Sequence, residues 1–351
     1  MLIEGIFAAV TTPFYSDERI YYRKLEANIA RYSRSLLSGL VLLGSTGEAA
    51  MLDDDESQEV LRVAADAAAA EKVLIAGVGR ESVKGTVALA EAAAEFRYDA
   101  VLVRTPTYFA RQMTTAAVLN YFRSVADRSP LPVILYNIPQ CVPYEISIEM
   151  LGELAMHPNI IGIKDSSGIL PRIAATLEAT RNAPRRTATV TPVFEAVTAR
   201  MLAAKPESAG SFVSAGDLAG GTAVDTAAPV APIKTRTRDV GFQILTGSPF
   251  IVLDALQAGA SGAVLGVASC APQACQEIYF AWKDHDLKLA AEKQQRIDLP
   301  ARRIGAEIGI AGIKYGCDFN GYYGGHPRSP LLAATAEEKA EIELLLAGMR
   351  N

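Results

Sequence analysis

Eight short apolar segments alternate with longer segments of helical periodicity, and this alternation is the feature that most constrains the fold. The predicted strands span residues 6–14, 39–45, 72–79, 99–106, 132–139, 160–167, 242–248 and 262–269. The predicted helices between them span 22–37, 54–70, 82–96, 114–127, 147–156, 170–181 and 249–258, with Ser82 and Thr114 at N-cap positions. Repeated strand–helix alternation predicts a closed (β/α)8 TIM barrel. A doubly wound open sheet is the alternative, but no glycine-rich dinucleotide fingerprint follows the first strand.

Two regions exceed what a simple barrel needs. After the eighth strand, helices are predicted at 272–284, 287–297, 300–308 and 336–349, so residues 1–271 would form the barrel and 272–351 a C-terminal helical extension. Residues 182–241 form a predicted insertion between strands six and seven. Within it, 193–204 is a candidate helix and 209–232, rich in Ala, Gly, Thr, Ser and Pro, is predicted to be largely irregular. A lid over the site and a passive surface loop both remain open for this insertion.

Composition excludes several classes of protein. The 351 residues carry a formal net charge of -5 with both signs nearly balanced, which argues against binding to nucleic acid or to an anionic membrane. The four cysteines form no CxxC pair and the three histidines are scattered, so neither a zinc site nor a disulfide framework is expected. No apolar run has the length of a membrane span, and the first residues lack the layout of a signal peptide. We therefore expect a soluble, cytoplasmic protein.

Lys164 stands at the end of a strand that is apolar on both faces. Residues 160–163 read Ile-Ile-Gly-Ile, which is typical of a parallel strand covered on both sides. Burial disfavours an ammonium group, and the neutral amine can attack a ketone to form a Schiff base. The alternative is a lysine that extends to the surface or pairs with Asp165. Asp165 should point to the opposite face, so we do not expect it to act as the base.

Further polar residues follow other strands, at the end of the barrel where active sites lie. The segment Ser45-Thr46-Gly47 offers two hydroxyls and backbone N–H groups, as a carboxylate cradle or as an ordinary turn. Tyr108, Tyr136 and Gly247-Ser248 stand at the ends of the fourth, fifth and seventh strands. A tyrosine beside a Schiff-base lysine can relay protons, although a lone tyrosine is more often a packing residue. No cluster of Asp, Glu and His indicates a metal, so iminium formation without a cofactor is favoured over Lewis-acid activation.

Taken together, these motifs resemble the dihydrodipicolinate synthase / N-acetylneuraminate lyase family of class I, pyruvate-handling aldolases. The resemblance covers the chain apart from residues 182–241, and its marks lie at 44–48, 136–139, 162–168, 259–262, 312–314 and 322–325. It implies that Lys164 forms an imine with pyruvate or another small 2-oxo acid and that Tyr136 relays protons.

The same resemblance implies roles for the remaining site residues. Ser45 and Thr46 would bind the carboxylate, with Thr46 linking Tyr136 to Tyr108. Gly47, Gly247 and Ser248 complete the predicted substrate-binding set. The residue matching Tyr108 often reaches a neighbouring subunit in this family, which implies a homodimer or a homotetramer.

The second substrate is less constrained. Dihydrodipicolinate synthases usually carry an arginine where this chain has Cys141, and acidic residues where it has Ser248-Pro249. Segments 79–82, 126–132, 157–160, 245–248 and 322–327 resemble the 4-hydroxy-2-oxoglutarate aldolase branch, which yields pyruvate and an aldehyde such as glyoxylate. Cys141 and Val142 depart from that branch as well.

Three functions therefore remain open. We expect a 4-hydroxy-2-oxoglutarate-type aldolase. The first alternative is 4-hydroxy-tetrahydrodipicolinate synthase, which condenses pyruvate with aspartate semialdehyde. The second is an inactive barrel that binds a 2-oxo acid.

Overall fold

The computed structural model describes residues 1–193, 195–203 and 234–349. Its strands are β1 Gly5–Ala9, β2 Gly39–Leu42, β3 Val73–Gly77, β4 Ala100–Arg104, β5 Val133–Asn137, β6 Ile160–Asp165, β7 Arg186–Val190, β8 Arg236–Val240, β9 Gln243–Thr246 and β10 Gly262–Leu265. All but β7 and β8 pair in parallel in the closed order β1-β10-β9-β6-β5-β4-β3-β2. The predicted (β/α)8 barrel is confirmed.

The described helices follow the predicted alternation. They are α1 Tyr22–Ser33, α2 Asp54–Ala67, α3 Val83–Glu95, α4 Thr115–Arg128, α5 Ile148–Leu154, α6 Leu170–Ala179, α7 Ala199–Ala203, α8 Val252–Gln257, α9 Pro272–Lys283, α10 Leu287–Pro300, α11 Ile310–Phe319 and α12 Ala336–Leu346. Ser82 caps α3 and Thr114 caps α4, each accepting a hydrogen bond from a backbone N–H three residues on, as predicted. No helix in the described ranges is long and apolar enough to cross a membrane.

Side chains alternate along each barrel strand between two hydrophobic cores. On β4, Val101 and Val103 pack outward against the helices, while Ala100 and Leu102 fill the barrel interior. The interior also contains Phe7, Val41, Ile75, Ile134, Leu245 and Val264. By the same alternation Arg104 faces the interior, at the carboxyl end of the strand.

The observed strands end earlier than the predicted ones. The second strand, for example, ends at Leu42 instead of residue 45, because Ser45–Gly47 forms a 3-10 turn. The extra residues belong to turns at the carboxyl end of the barrel, and these turns carry the predicted site residues. The apolar pattern therefore locates each strand but not where the turn begins.

The described part of the insertion lies at the amino end of the barrel. It contains an antiparallel hairpin of β7 and β8, which was not predicted. Arg186 donates to the carbonyl of Ile160 at the start of β6, and the backbone N–H of Ala199 donates to Asp99, which precedes β4. The lid hypothesis is wrong for these residues, because α6 returns the chain to the end opposite the strand termini. The alternative of a passive surface element stays a prediction, because β8 is exposed over its first four residues.

Two predicted segments of the insertion lie partly or wholly outside the described residues. The predicted helix 193–204 is reduced to the short α7, with Phe194 and Ala204 outside the described residues. The predicted irregular segment 209–232 also lies outside the described residues.

The C-terminal region is helical, as expected, with one element missed. Helix α9 packs against β1, and α10 runs on into a π-helical segment, Ala301–Ile308. Helix α11 was not predicted because glycines interrupt its sequence. Gly312 is needed there, since a Cβ would lie 2.5 Å from the carbonyl oxygen of Ile304. The division of the chain at residue 271 stays a prediction.

Candidate active site

Three long side chains occupy one row across adjacent strands at the carboxyl end of the barrel. In the parallel register, Lys164 on β6 is paired with Tyr136 on β5, and Tyr136 is paired with Arg104 on β4. The Lys164 side chain neither extends to the surface nor pairs with Asp165, because the residue is only 5% exposed and donates to the Tyr136 hydroxyl. The Nζ–Oη distance is 3.1 Å, and Nζ also lies 4.2 Å from the centroid of the tyrosine ring.

The Tyr136 hydroxyl also lies close to the turn after β2. Its oxygen is 3.4 Å from the Ser45 Oγ, and either group can donate. The amine of Lys164 and two hydroxyls thus form a continuous chain that ends at Ser45. Such a chain can move a proton between a group bound at Lys164 and the turn.

The turn Ser45–Gly47 is held by a buried ion pair with the C-terminal region. It ends at Glu48, whose φ of 56° lies in the left-handed region. The Glu48 carboxylate pairs with the Lys314 ammonium at 2.5 Å and accepts the backbone N–H of Arg328 at 2.8 Å. Burial lowers the pKa of Lys314, and the charge of Glu48 opposes this. Sequence reasoning identifies Lys314 only as part of a motif, because its partner lies 266 residues away.

Thr46 and Tyr108 are not brought to Tyr136 within a single chain. Among the described residues no hydrogen bond joins Thr46 to either tyrosine, and Ser45 occupies the place beside Tyr136. Thr46 is half-buried on the side of Gly266, where a Cβ added to that glycine would lie 3.2 Å from the Thr46 Oγ1. Tyr108 is 81% exposed. The role of Thr46 as a link between the two tyrosines stays a prediction.

Gly247 and Ser248 lie at the rim beside the loop after β6. The Gly247 N–H donates to the carbonyl of Asp165 at 2.6 Å, and a Cβ at Gly247 would lie only 2.0 Å from the Ser166 Oγ. Only glycine fits there. Ser248 is buried, and its backbone N–H contacts the Thr246 hydroxyl at 3.2 Å. These two residues therefore keep the two loops in close contact at the edge of the site.

Asp165 points away from the site, as predicted. Its carboxylate accepts hydrogen bonds from Arg172 Nε at 2.7 Å, from Asn137 Nδ2 at 3.1 Å and from the backbone N–H of Ser167 at 2.8 Å. These three donors engage both carboxylate oxygens. Asp165 thus fixes the end of β6 and is not available as a base.

A cavity of about 580 Å³ opens between the turn after β2 and the strand ends of β4 and β5. Ser45, Tyr136, Cys141, Arg104 and Glu81 are among its lining residues. Partial burial raises the pKa of the Cys141 thiol, while the nearby cations of Lys164 and Arg104 act in the opposite direction. The volume lies in the range of small-molecule sites.

Sequence reasoning missed Arg104 and Glu81 as site residues. Arg104 could have been identified from the sequence, because it lies two residues after Leu102 on a predicted barrel strand. Residues two apart on a strand face the same side, so both should face the barrel interior. In the part of the chain that the structure describes, no group of three or more His, Cys, Asp and Glu side chains is placed to hold a metal ion.

Known proteins similar to this chain cover almost its whole length. A 4-hydroxy-tetrahydrodipicolinate synthase of Acidiphilium cryptum is 29% identical over 349 residues, covering 99% of both chains. A probable mitochondrial 4-hydroxy-2-oxoglutarate aldolase of Emericella nidulans is 28% identical over 353 residues, covering 97% of this chain and 93% of the relative.

A solved structure shares the fold over almost the whole chain. It is a prophage protein of the dihydrodipicolinic acid synthase family from E. coli K12 in complex with pyruvate, with a TM-score of 0.77, 22% identity and 99% coverage of both chains. The sequence profile of the dihydrodipicolinate synthetase family matches residues 2–185 and 221–348, so the unmatched internal residues fall within the insertion. The chain belongs to the dihydrodipicolinate synthetase family.

Proposed function

We propose that the protein is a Schiff-base-forming lyase that cleaves or forms a carbon–carbon bond between pyruvate and an aldehyde. Membership of its family already makes the chain an aldolase of the pyruvate-dependent class. The observation that carries the residue assignment is the buried Lys164 amine, hydrogen-bonded to the Tyr136 hydroxyl at the carboxyl end of the barrel. We assign Lys164 as the nucleophile and Tyr136 as the proton relay.

The reaction follows from this pair of residues. The Lys164 amine adds to C2 of a 4-hydroxy-2-oxo acid, and loss of water gives an iminium ion. Tyr136 removes the proton of the 4-hydroxyl group as the C3–C4 bond breaks. The electrons of that bond move to the iminium nitrogen, so that an aldehyde leaves and an enamine remains. Protonation of C3 restores an iminium, and water hydrolyses it to pyruvate and the free lysine.

The turn after β2 supplies the carboxylate site in this proposal. Ser45 lies beside Tyr136, and the hydroxyls and backbone N–H groups of Ser45 and Thr46 can donate to an anion. The Gly47 N–H donates to the carbonyl of Gly44 at 3.0 Å, so Gly47 is proposed to shape the turn around the carboxylate. Gly247 and Ser248 would bound the substrate on the opposite rim. Tyr108 is proposed to act across a subunit contact in a homodimer or homotetramer, which its exposure and the neighbouring exposed Phe109 support.

For the substrate, we propose a 4-hydroxy-2-oxoglutarate-type acid. Support comes from the aldolase relative and from the motifs shared with that branch. The 4-hydroxy-tetrahydrodipicolinate synthase reaction is the second candidate, because relatives of that name have similar identity. An inactive 2-oxo-acid-binding barrel is the third, and the direct contact between Lys164 and Tyr136 argues against it.

Borohydride trapping tests the mechanism. Incubation with pyruvate and borohydride, followed by peptide mass spectrometry, should place a reduced adduct on Lys164. The Lys164→Ala variant should form no adduct and should lose activity by on the order of 10⁴-fold or more. An adduct on another lysine, or full activity in Lys164→Ala, would reject the assignment. Assays with 4-hydroxy-2-oxoglutarate and with pyruvate plus aspartate semialdehyde separate the first two candidates.

A further inference from the structure

Arg104 is a cation in the site that the proposed reaction does not use. It stands next to Tyr136 in the same row, one strand further from Lys164. Neighbouring strands are about 4.8 Å apart, so the Cα atoms of Lys164 and Arg104 are separated by roughly 10 Å. Both side chains are long and both face the barrel interior. A short substrate joined to Lys164 at C2 would therefore direct its distal carbons towards Arg104.

The hydrogen bonds of Arg104 leave much of its guanidinium group available. Its Nη1 donates to Glu81 Oε1 and to the carbonyl of Thr105, both at 3.0 Å. The side chain is 25% exposed and lines the cavity. Among the described residues, no hydrogen bond engages its Nε or Nη2. A guanidinium edge with two free donors matches the two oxygens of a carboxylate.

The Glu81 carboxylate does not offer a site of its own. Its oxygens already accept hydrogen bonds from the backbone N–H groups of Thr107 and Tyr108, at 2.7 and 2.9 Å, and from the Thr107 hydroxyl at 3.1 Å. Burial acts to raise the pKa of Glu81, but these donors and the Arg104 guanidinium lower it overall. Glu81 is therefore ionised, its oxygens are already occupied by hydrogen-bond donors, and its role is to orient the Arg104 side chain.

The other charged groups around the cavity are also engaged. Arg80 contacts Asp54 at 3.3 Å and Ser57 at 2.8 Å, and Glu48 is paired with Lys314. Of the described cations that line this cavity, Arg104 is thus the one that lies in the same row as Lys164 and keeps donors without a hydrogen bond. Donors without a competing acceptor favour an anion over an uncharged hydroxylated chain.

We propose that the Arg104 guanidinium binds the carboxylate at the far end of a short dicarboxylic 2-oxo acid whose C2 is held at Lys164. The proposal rests on the proposed function for the position of C2, and it narrows the aldehyde partner to one that carries a carboxylate.

Equilibrium binding of two matched acids tests this assignment. The ligands 2-oxoglutarate and 2-oxopentanoate differ only in the carboxylate or methyl group at C5, and neither carries the 4-hydroxyl group needed for cleavage. We expect the wild-type protein to bind 2-oxoglutarate about 10- to 100-fold more tightly by calorimetry, as hydrogen bonds to a charged group imply. The Arg104→Met variant should lose this preference, and Arg104→Lys should keep part of it.

A surface arginine provides the matched control. Arg123 forms an ion pair with Glu153 in which both side chains are about half exposed, so Arg123→Met should keep the full preference. Three results would overturn the proposal: no preference in the wild type, a preference that survives Arg104→Met, or an equal loss of affinity for both acids. The last would show that Arg104 only supports the Glu81 loop.

The borohydride experiment separates this proposal from the one on which it rests. A missing adduct on Lys164, together with a preference that depends on Arg104, would reject the Schiff-base function and leave the carboxylate site standing. An adduct on Lys164 without the preference would reject only the role of Arg104.

Discussion

Both ends of the barrel carry buried cations, but these cations have different partners. At the amino end, Arg186 donates to the carbonyls of His157, Pro158 and Ile160, and Arg200 donates to the carbonyl of Lys72. The Lys72 ammonium itself donates to the carbonyls of Ser35 and Leu37. Cations at this end are therefore satisfied mainly by backbone acceptors at or near the starts of the strands, although Arg200 also lies 3.7 Å from the buried Asp99 carboxylate.

At the carboxyl end the cations next to the cavity contact titratable side chains instead. Lys164 donates to a tyrosine hydroxyl, and Arg104 pairs with a carboxylate while keeping donors towards the cavity. A cation whose partner is a titratable or nucleophilic side chain can take part in chemistry, whereas one saturated by carbonyls can only stabilise. We therefore expect substitutions of the cavity residues at the carboxyl end to lower activity. Substitutions of the cations at the amino end should lower the free energy of unfolding and leave activity almost unchanged.

Removing the Tyr136 hydroxyl should give the largest of these effects. We expect Tyr136→Phe to lower kcat by about 10²- to 10⁴-fold, because the proton relay is lost. Pyruvate should still form a borohydride-trapped adduct on Lys164. Tyr98→Phe is the matched control, since Tyr98 is a buried tyrosine that donates to the carbonyl of Leu61 under the helices. Wild-type kcat in Tyr136→Phe would contradict the proposed relay.

Arg186→Met should show the opposite behaviour at the amino end. Its guanidinium donates to the Ile160 carbonyl at 2.6 Å and to the Pro158 carbonyl at 2.9 Å, and the loss of these donors should lower the free energy of unfolding by about 1–3 kcal/mol. Urea denaturation measures this change, while kcat/KM should stay within about twofold. Arg181→Met, which breaks an exposed pair with Glu178, should have little effect on either quantity. A loss of activity without a loss of stability would remove the distinction between the two ends.

The smallest effect concerns a cation at the carboxyl end that has a structural role. Arg328 binds both oxygens of Glu56 at 2.6 Å, and this hydrogen bonding lowers the pKa of Glu56 against the opposing effect of burial. A folded-state pKa below the unfolded value of 4.5 means that the pair stabilises the protein above that pH. This stabilisation is lost as the pH falls through the lowered pKa.

Glu56→Gln tests this pH dependence and preserves the side-chain acceptor of the α2 capping box. The variant should be less stable than the wild type by about 1 kcal/mol at pH 7, and the difference should shrink as the pH drops below 4.5. Denaturation midpoints at several pH values measure it. A difference that is constant across this range would mean that the Glu56 charge is not the stabilising feature.

Much of the fold follows from local patterns in the sequence. The eight strands and their helices are visible because apolar runs and helical periodicity are local properties. Lys164 is identifiable for the same reason, since a lysine at the end of an apolar strand conflicts with its surroundings. Arg104 lies in the same row, and the apolar strand before it is equally visible in the sequence. It was not identified because an arginine near a strand end resembles an ordinary surface residue.

Contacts between distant residues could not be predicted in this way. The β7–β8 hairpin pairs Arg186 with Val240 across the insertion, and the few apolar residues of its strands give no strong pattern. The contact of Ser45 with Tyr136 joins residues 91 positions apart, so local patterns could not single out Ser45 as the neighbour of that tyrosine. The end of the barrel that the insertion covers depends on where α6 ends, which the sequence locates only approximately.

Because of the Glu48–Lys314 ion pair, an ordered site depends on a residue close to the C-terminal end of the polypeptide. Both side chains proposed to react are synthesised by residue 164, yet the turn that would hold the substrate is anchored by a residue 150 positions later. A chain that stops before Lys314 would carry the nucleophile but leave the Glu48 carboxylate without its buried counter-ion. A nascent or truncated chain would therefore lack an ordered carboxylate cradle, and activity would begin only when the end of the chain has folded back onto the barrel.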